Sequence, residues 1–355
     1  MRKEIIPLTS IRGLAALWVV ALHFTGNTER VGFPNLPVII RDVALAGGFG
    51  VDIFFLLSGY ILMLNYGVRT NYAEFLWFRF ARVFPLHLAV LAAMVVGVEV
   101  MSLIGTHTND PEFFSLGLLP YHITLTFVWL GMPLAWNSQT WSLSAEIVAY
   151  LCFPAIQFLI RSISRPVLLA VTGGLLVAQG LWLYAMGEVV TGGPAVGRAL
   201  FGFMAGAALR ISTQTFALPL SAAVVSGAAV VALAAWSAAP LAVFPSAVLL
   251  VVLAAPHPPA LLAHPLIKWA GDISYSIYLL HVPLLIIVLM AARHFRLDHA
   301  AAGIYVLGVG YLLTLLAISH LAWRFIEKPA RNTLRRFYVD RAAMNITEAK
   351  SESPT

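Results

Sequence analysis

The stretch LTSIRGLAALWVVALHFT, Leu8 to Thr25, decides the fold. It is an apolar helix pattern of about the 20 residues that cross a bilayer. Yet it carries Arg12 near its start and His23 near its end. A charged side chain at the centre of a membrane helix costs roughly 2.5–3.5 kcal/mol on insertion scales, so such groups face a bundle interior or a cavity. A separation of eleven residues returns to within about 20° of the same helix face and rises ~16 Å. One face of this helix therefore presents a fixed cation low down and a titratable imidazole higher up. The rest of the chain is expected to pack around that face.

Composition agrees. Of 355 residues, 60% are hydrophobic and only 11% charged, and the mean hydropathy is +0.86. A soluble domain carries ~25% charged residues. The apolar runs are too continuous for barrel strands, which alternate over ~10 residues. The fold expected is all-α, a polytopic membrane helix bundle embedded in the lipid bilayer. Its net charge of +6 reports topology before it reports any nucleic-acid partner. The lone Cys152 cannot form an intrachain disulfide. Arg2 and Lys3 resemble the start of a signal peptide, but Arg12 interrupts the apolar run and no clear cleavage site follows, so an uncleaved first span is expected.

Working outward, spans are expected at 8–25, 43–65, 85–104, 141–160, 166–186, 195–210, 216–236, 241–256, 272–292 and 302–323. The run 113–134 is apolar but broken by Gly117, Pro120, His122, Gly131 and Pro133. With a cytoplasmic N-terminus and no crossing at 113–134, sixteen lysines and arginines outside the first helix core fall inside and five outside. A crossing there would turn this to eight and thirteen. The positive-inside rule selects the first arrangement. It gives about ten transmembrane helices, both termini cytoplasmic, and 113–134 as a re-entrant or surface segment on the outer side. Residues 1–335 form the membrane domain, and 336–355 are expected to be a disordered cytoplasmic tail.

Polar residues inside the spans are the site candidates. Asp52 stands in an otherwise apolar second span and also suits a helix N-terminus. Arg79 and Arg82, at i and i+3, share a helix face and suit bidentate contact with phosphate oxygens, beyond simple anchoring. Tyr72, Trp77 and Phe78 nearby could stack on a base. Glu146 in TWSLSAE needs a partner, with Arg12 and His23 as candidates, and Trp141 and Ser142 accompany it. Ser274, Tyr275, Tyr278 and His281 make a polar stripe in DISYSIYLLH. Glu327, Lys328 and Pro329 read as solvated interface charge at the end of the last span. No metal motif, Walker lysine or Gly-x-Ser-x-Gly elbow occurs, so no metal is expected.

Together these pieces resemble the acyltransferase-3 family of integral-membrane acyltransferases. The matching segments are IRGLAAL (11–17) with His23, GFGVDIFFLLSGY (48–60), FRFARVFPLH (78–87), TWSLSAE (140–146), DISYSIYLLH (272–281) and FIEKP (325–329), in the family's order. The resemblance implies transfer of an acyl group, often acetyl, from cytoplasmic acyl-CoA to a hydroxyl of an extracytoplasmic or lipid-linked carbohydrate. It implies a bacterial inner-membrane location and a stand-alone form without an appended hydrolase-like domain. It matches the family's essential arginine and histidine to Arg12 and His23, and its paired arginines to Arg79 and Arg82. On this reading acetyl-CoA is the donor. Arg12, Arg79, Arg82, Trp141, Ser142, Tyr275 and Tyr278 form its binding site, and His23 is the general base or a transient acyl carrier. Glu146 and Asp52 are the candidates to orient the imidazole. The rival class is a transporter or lipid flippase, which a broken segment and intramembrane charge also fit.

Overall fold

The computed structural model describes residues 5–33, 36–67, 71–103, 105, 111–186, 190–212, 260–295 and 303–351. The described chain is a multi-pass helix bundle. Helix α1 (Ile6–Arg30) starts with Pro7 in its first turn, where the missing N–H costs nothing. After the short α2 (Val38–Leu45) come α3 (Phe49–Tyr66) and α4 (Tyr72–Leu103), which runs on through Pro85. A five-residue α5 (Leu119–Ile123) precedes α6 (Trp141–Leu151), α7 (Phe153–Ser162), α8 (Arg165–Met186) and α9 (Gly192–Ser212). The last described part holds α10 (Pro265–Asp272), α11 (Ser274–His294), α12 (Gly303–Ala322) and α13 (Lys328–Ser351), with a π-helical turn at Trp323–Glu327.

Seven described helices are long and apolar enough to cross a membrane, or eight if a bent pair counts as one span. Eight of the ten expected spans fall on described residues, and each is helical there. The spans expected at 216–236 and 241–256 lie outside the described residues. The 141–160 span is not one rod. It bends by 58° between α6 and α7, where Pro154 in the first turn of α7 has no N–H to give the preceding turn. The expected tail is helical as far as Ser351. Its sequence from Leu334 to Lys350 holds no Gly or Pro to stop a helix.

The run 113–134 forms a 3-10 turn, α5 and further turns, not a crossing helix. It is nonetheless packed: Leu125, Phe127 and Val128 are wholly buried. Ser144 Oγ–H donates to the Leu125 carbonyl at 2.6 Å, and Trp129 Nε1–H donates to the Ser144 carbonyl at 2.6 Å. Irregular backbone at this depth is tolerated because the protein, not lipid, satisfies its polar groups.

Glycines set two close crossings. A Cβ on Gly13 would overlap the backbone of Gly271, and one on Gly271 would overlap Thr9, so α1 and α10 touch main chain to main chain. Gly59 of α3 and Gly206 of α9 do the same against Phe203 and Leu56. Small residues permit this approach where no hydrophobic force drives helices together. Gly206→Val is therefore expected to destabilise the fold by about 1–3 kcal/mol or more. Thermal unfolding of the detergent-solubilised variant checks it, and an unchanged midpoint would contradict so tight a seam.

Candidate active site

The α1–α10 contact fixes the depth of Arg12. Its guanidinium helps line a cavity of about 140 Å³ between α1, α3, α4, α6 and α11. The wall includes Ser58, Arg79, Arg82, Ser142, Glu146, Tyr150, Tyr275 and Tyr278. A second cavity of about 330 Å³ shares Arg12, Ile61, Leu62, Arg79 and Arg82 with the first, so the two form a vestibule and an inner chamber.

The arginines are each held differently. Arg82 pairs with Glu327, and its guanidinium lies 5.3 Å from the Tyr275 ring centroid. Arg79 lies 5.8 Å from the Tyr66 ring and 6.0 Å from the Tyr150 ring. Its buried Nε has no hydrogen-bond acceptor among the described residues. A buried donor left so is costly unless a ligand supplies the acceptor. Glu146 hydrogen-bonds Ser58 and Tyr150 and lies within electrostatic reach of Arg79 and Arg12.

Deeper in, Tyr278 O–H donates to the Gln139 carbonyl at 2.8 Å and lies 2.7 Å from Ser142 Oγ. Phe54 meets Tyr278 edge to face at 5.8 Å and shares this end of the chamber. Next to Tyr278 comes His281, then His23, with ring centroids 5.6 Å and 4.9 Å apart in turn. His23 is thus not part of the chamber wall but sits one side chain beyond it.

The hydrogen bonds fix the tautomers of this pair. His281 Nδ1 lies 2.7 Å from the Tyr278 carbonyl, which can only accept, so Nδ1 carries the proton. His23 Nδ1 lies 3.0 Å from the Val19 carbonyl and is protonated for the same reason. That one Nδ1–H is shared with the His281 Nε2 lone pair, 3.3 Å away, as a bifurcated bond. With Nδ1 protonated, Nε2 is the ring atom that can take up a proton.

Seven expected site residues meet at one cavity: Arg12, Arg79, Arg82, Ser142, Glu146, Tyr275 and Tyr278. Two do not. Asp52 is fully buried, paired with Arg198 at 2.7 and 2.9 Å, and accepts from Gln179 Nε2 at 2.7 Å. Trp141 lies 5.4 Å from the Arg198 guanidinium. Asp52 and Trp141 belong to a buried joint between α3, α6, α8 and α9. The expectation that Asp52 or Glu146 orients the imidazole is corrected: both carboxylates are engaged elsewhere, and Val19 and His281 orient His23.

Glu327 is also corrected. It is 2% exposed, accepts from Ser276 Oγ at 2.8 Å and joins Arg82 to the end of α12. Arg331 and Arg335, on the vestibule wall, escaped sequence reasoning because a basic helix after a last span reads as an anchor. His281 was visible as the last polar residue of its stripe, but its pairing with His23 was not.

Comparison with known proteins adds to this geometry. A family model described as an acyltransferase domain, of the acyltransferase-3 type, matches residues 7–323. Acyltransferase MdmB of Streptomyces mycarofaciens is 31% identical over 159 residues, which cover 44% of this chain and 40% of that protein. Protein 2 in the picA locus of Rhizobium radiobacter is 32% identical over 168 residues, covering 41% of this chain and 78% of that protein. The chain thus spans less than half the length of the first of these relatives. No solved structure matches it.

Proposed function

This chain belongs to the acyltransferase-3 family, and on that premise we propose that it transfers an acyl group, acetyl foremost, from acyl-CoA to a carbohydrate hydroxyl. The acceptor is extracytoplasmic or lipid-linked, and the setting is a bacterial inner membrane. The observation that supports the reading is the order of side chains: an arginine-lined vestibule, a chamber that ends at Tyr278, and His281 and His23 packed in turn behind it. Phosphates suit the arginine end, where bidentate guanidinium contacts are the strong ones. A narrow, largely apolar chamber suits a pantetheine arm and its thioester.

In the transfer, the acceptor hydroxyl attacks the thioester carbonyl carbon as His23 Nε2 takes its proton. The new C–O bond forms, the C–S bond breaks, and the thiolate leaves and is protonated as free CoA. A base near pKa 7 within reach of the hydroxyl contributes ~10²–10⁴-fold. The Ser142 hydroxyl at the chamber end and the Arg12 cation can stabilise charge developing on the carbonyl oxygen, with Tyr278, whose proton goes to Gln139, holding Ser142 in place.

The test is release of free CoA from labelled acetyl-CoA by the protein in membranes, with the label recovered on a surface glycan. A transporter or flippase would move its substrate without releasing CoA, and that result would overturn the reading. His281 positions the base rather than touching the reactants. His281→Phe is expected to lower kcat by about 10²-fold, the low end of acid–base contributions, and to displace the acid limb of kcat against pH. A lower folded yield with an unmoved pH profile would mark His281 as structural only.

A further inference from the structure

The vestibule brings together five guanidiniums, from Arg12, Arg79, Arg82, Arg331 and Arg335. Asp272 is the acid on its wall, and Lys268 already engages it at 2.9 Å. Glu327 stands behind, paired with Arg82 and 3.7 Å from Arg331. Arg331 is within electrostatic reach of Arg79, Arg82 and Arg335. Like charges crowded into a partly buried space repel strongly, and a polyanion relieves that repulsion.

Two of the five come from α13, beyond the segment that the family model covers. Arg331 and Arg335 are one turn apart and share a face. That face is fastened to α4. Trp77 Nε1–H donates to the Leu334 carbonyl at 2.7 Å, the Trp77 ring stacks on Tyr338 at 6.3 Å, and the Arg335 guanidinium lies 5.1 Å from the Phe78 ring. The helix is therefore held where its arginines join Arg79 and Arg82 on the vestibule wall.

We propose that α13 is half of a phosphate clamp, in which Arg331 and Arg335 hold the nucleotide phosphates of the acyl donor together with Arg79 and Arg82 of α4. This rests on the acyl-CoA reading above and adds the part of the chain that recognises the nucleotide. The clamp holds the diphosphate and 3′-phosphate at the mouth, and the pantetheine arm alone continues past Arg12 into the narrow chamber. Donors without the nucleotide gain nothing from α13.

The experiment compares acetyl-CoA with S-acetylpantetheine, which lacks the nucleotide, using the full chain in membranes. In Arg335→Ala, and in Arg331→Ala with Arg335→Ala, the preference for acetyl-CoA in kcat/KM is expected to fall by about tenfold per arginine, the loss of a charge-assisted contact. Arg335→Lys should restore part of it. Equal losses with both donors would make α13 merely structural and overturn the clamp, as would an unchanged preference. If the unsubstituted protein releases CoA from neither donor, the donor assignment itself fails. If it turns over both donors equally well, the donor assignment survives and the clamp falls alone.

Discussion

His23→Ala is expected to lower acyl transfer by about 10²–10⁴-fold while the protein remains inserted and folded. The half-buried ring hydrogen-bonds one carbonyl of its own helix and His281, both of them uncharged groups. What it removes is the Nε2 lone pair on the far side of Tyr278 from the arginines. CoA release with a saturating acceptor is the measurement. Donor affinity, read separately, should hold, because the vestibule that would bind the phosphates lies at the other end of α1. Transfer at the unsubstituted rate would refute His23 as the base. Labelled acetyl trapped on His23 without acceptor would replace direct attack by a two-step route through an acyl-histidine.

The second large effect concerns stability. Asp52→Ala leaves the Arg198 guanidinium, 5% exposed, buried without its carboxylate. Breaking one partner of such a pair costs about 3–5 kcal/mol, enough to lose the folded protein. Replacing both partners by apolar residues of similar size is often neutral. Asp52→Leu together with Arg198→Met is therefore expected to recover folded yield and transfer. A double variant that folds but transfers nothing would return Asp52 to the chemistry.

This pair also shows what could be read in advance. Arg12, His23 and the stripe ending at His281 were legible because an apolar helix cannot hide a polar group without a neighbour to receive it. The non-crossing of 113–134 was legible from charge asymmetry. The partners were not, because periodicity along one helix gives a face but never says which distant helix meets it. Asp52 and Arg198 are 146 residues apart, and His23 and His281 are 258 apart. Arg198 even entered the topology count as a loop charge, whereas it is a neutralised interior group. Glu327 looked solvated because the sequence does not reveal that α4 and α11 bring Arg82 and Ser276 to it.

The seam where Gly13 meets Gly271 has a consequence for motion. Main chain pressed on main chain leaves no clearance for α1 to roll or slide over α10. A side chain added at either glycine would push the two helices apart and carry Arg12 away from the wall it shares with Arg79 and Arg82. The register of that seam thus sets how far the guanidinium stands from the Tyr278 and His281 rings that separate the chamber from the His23 imidazole.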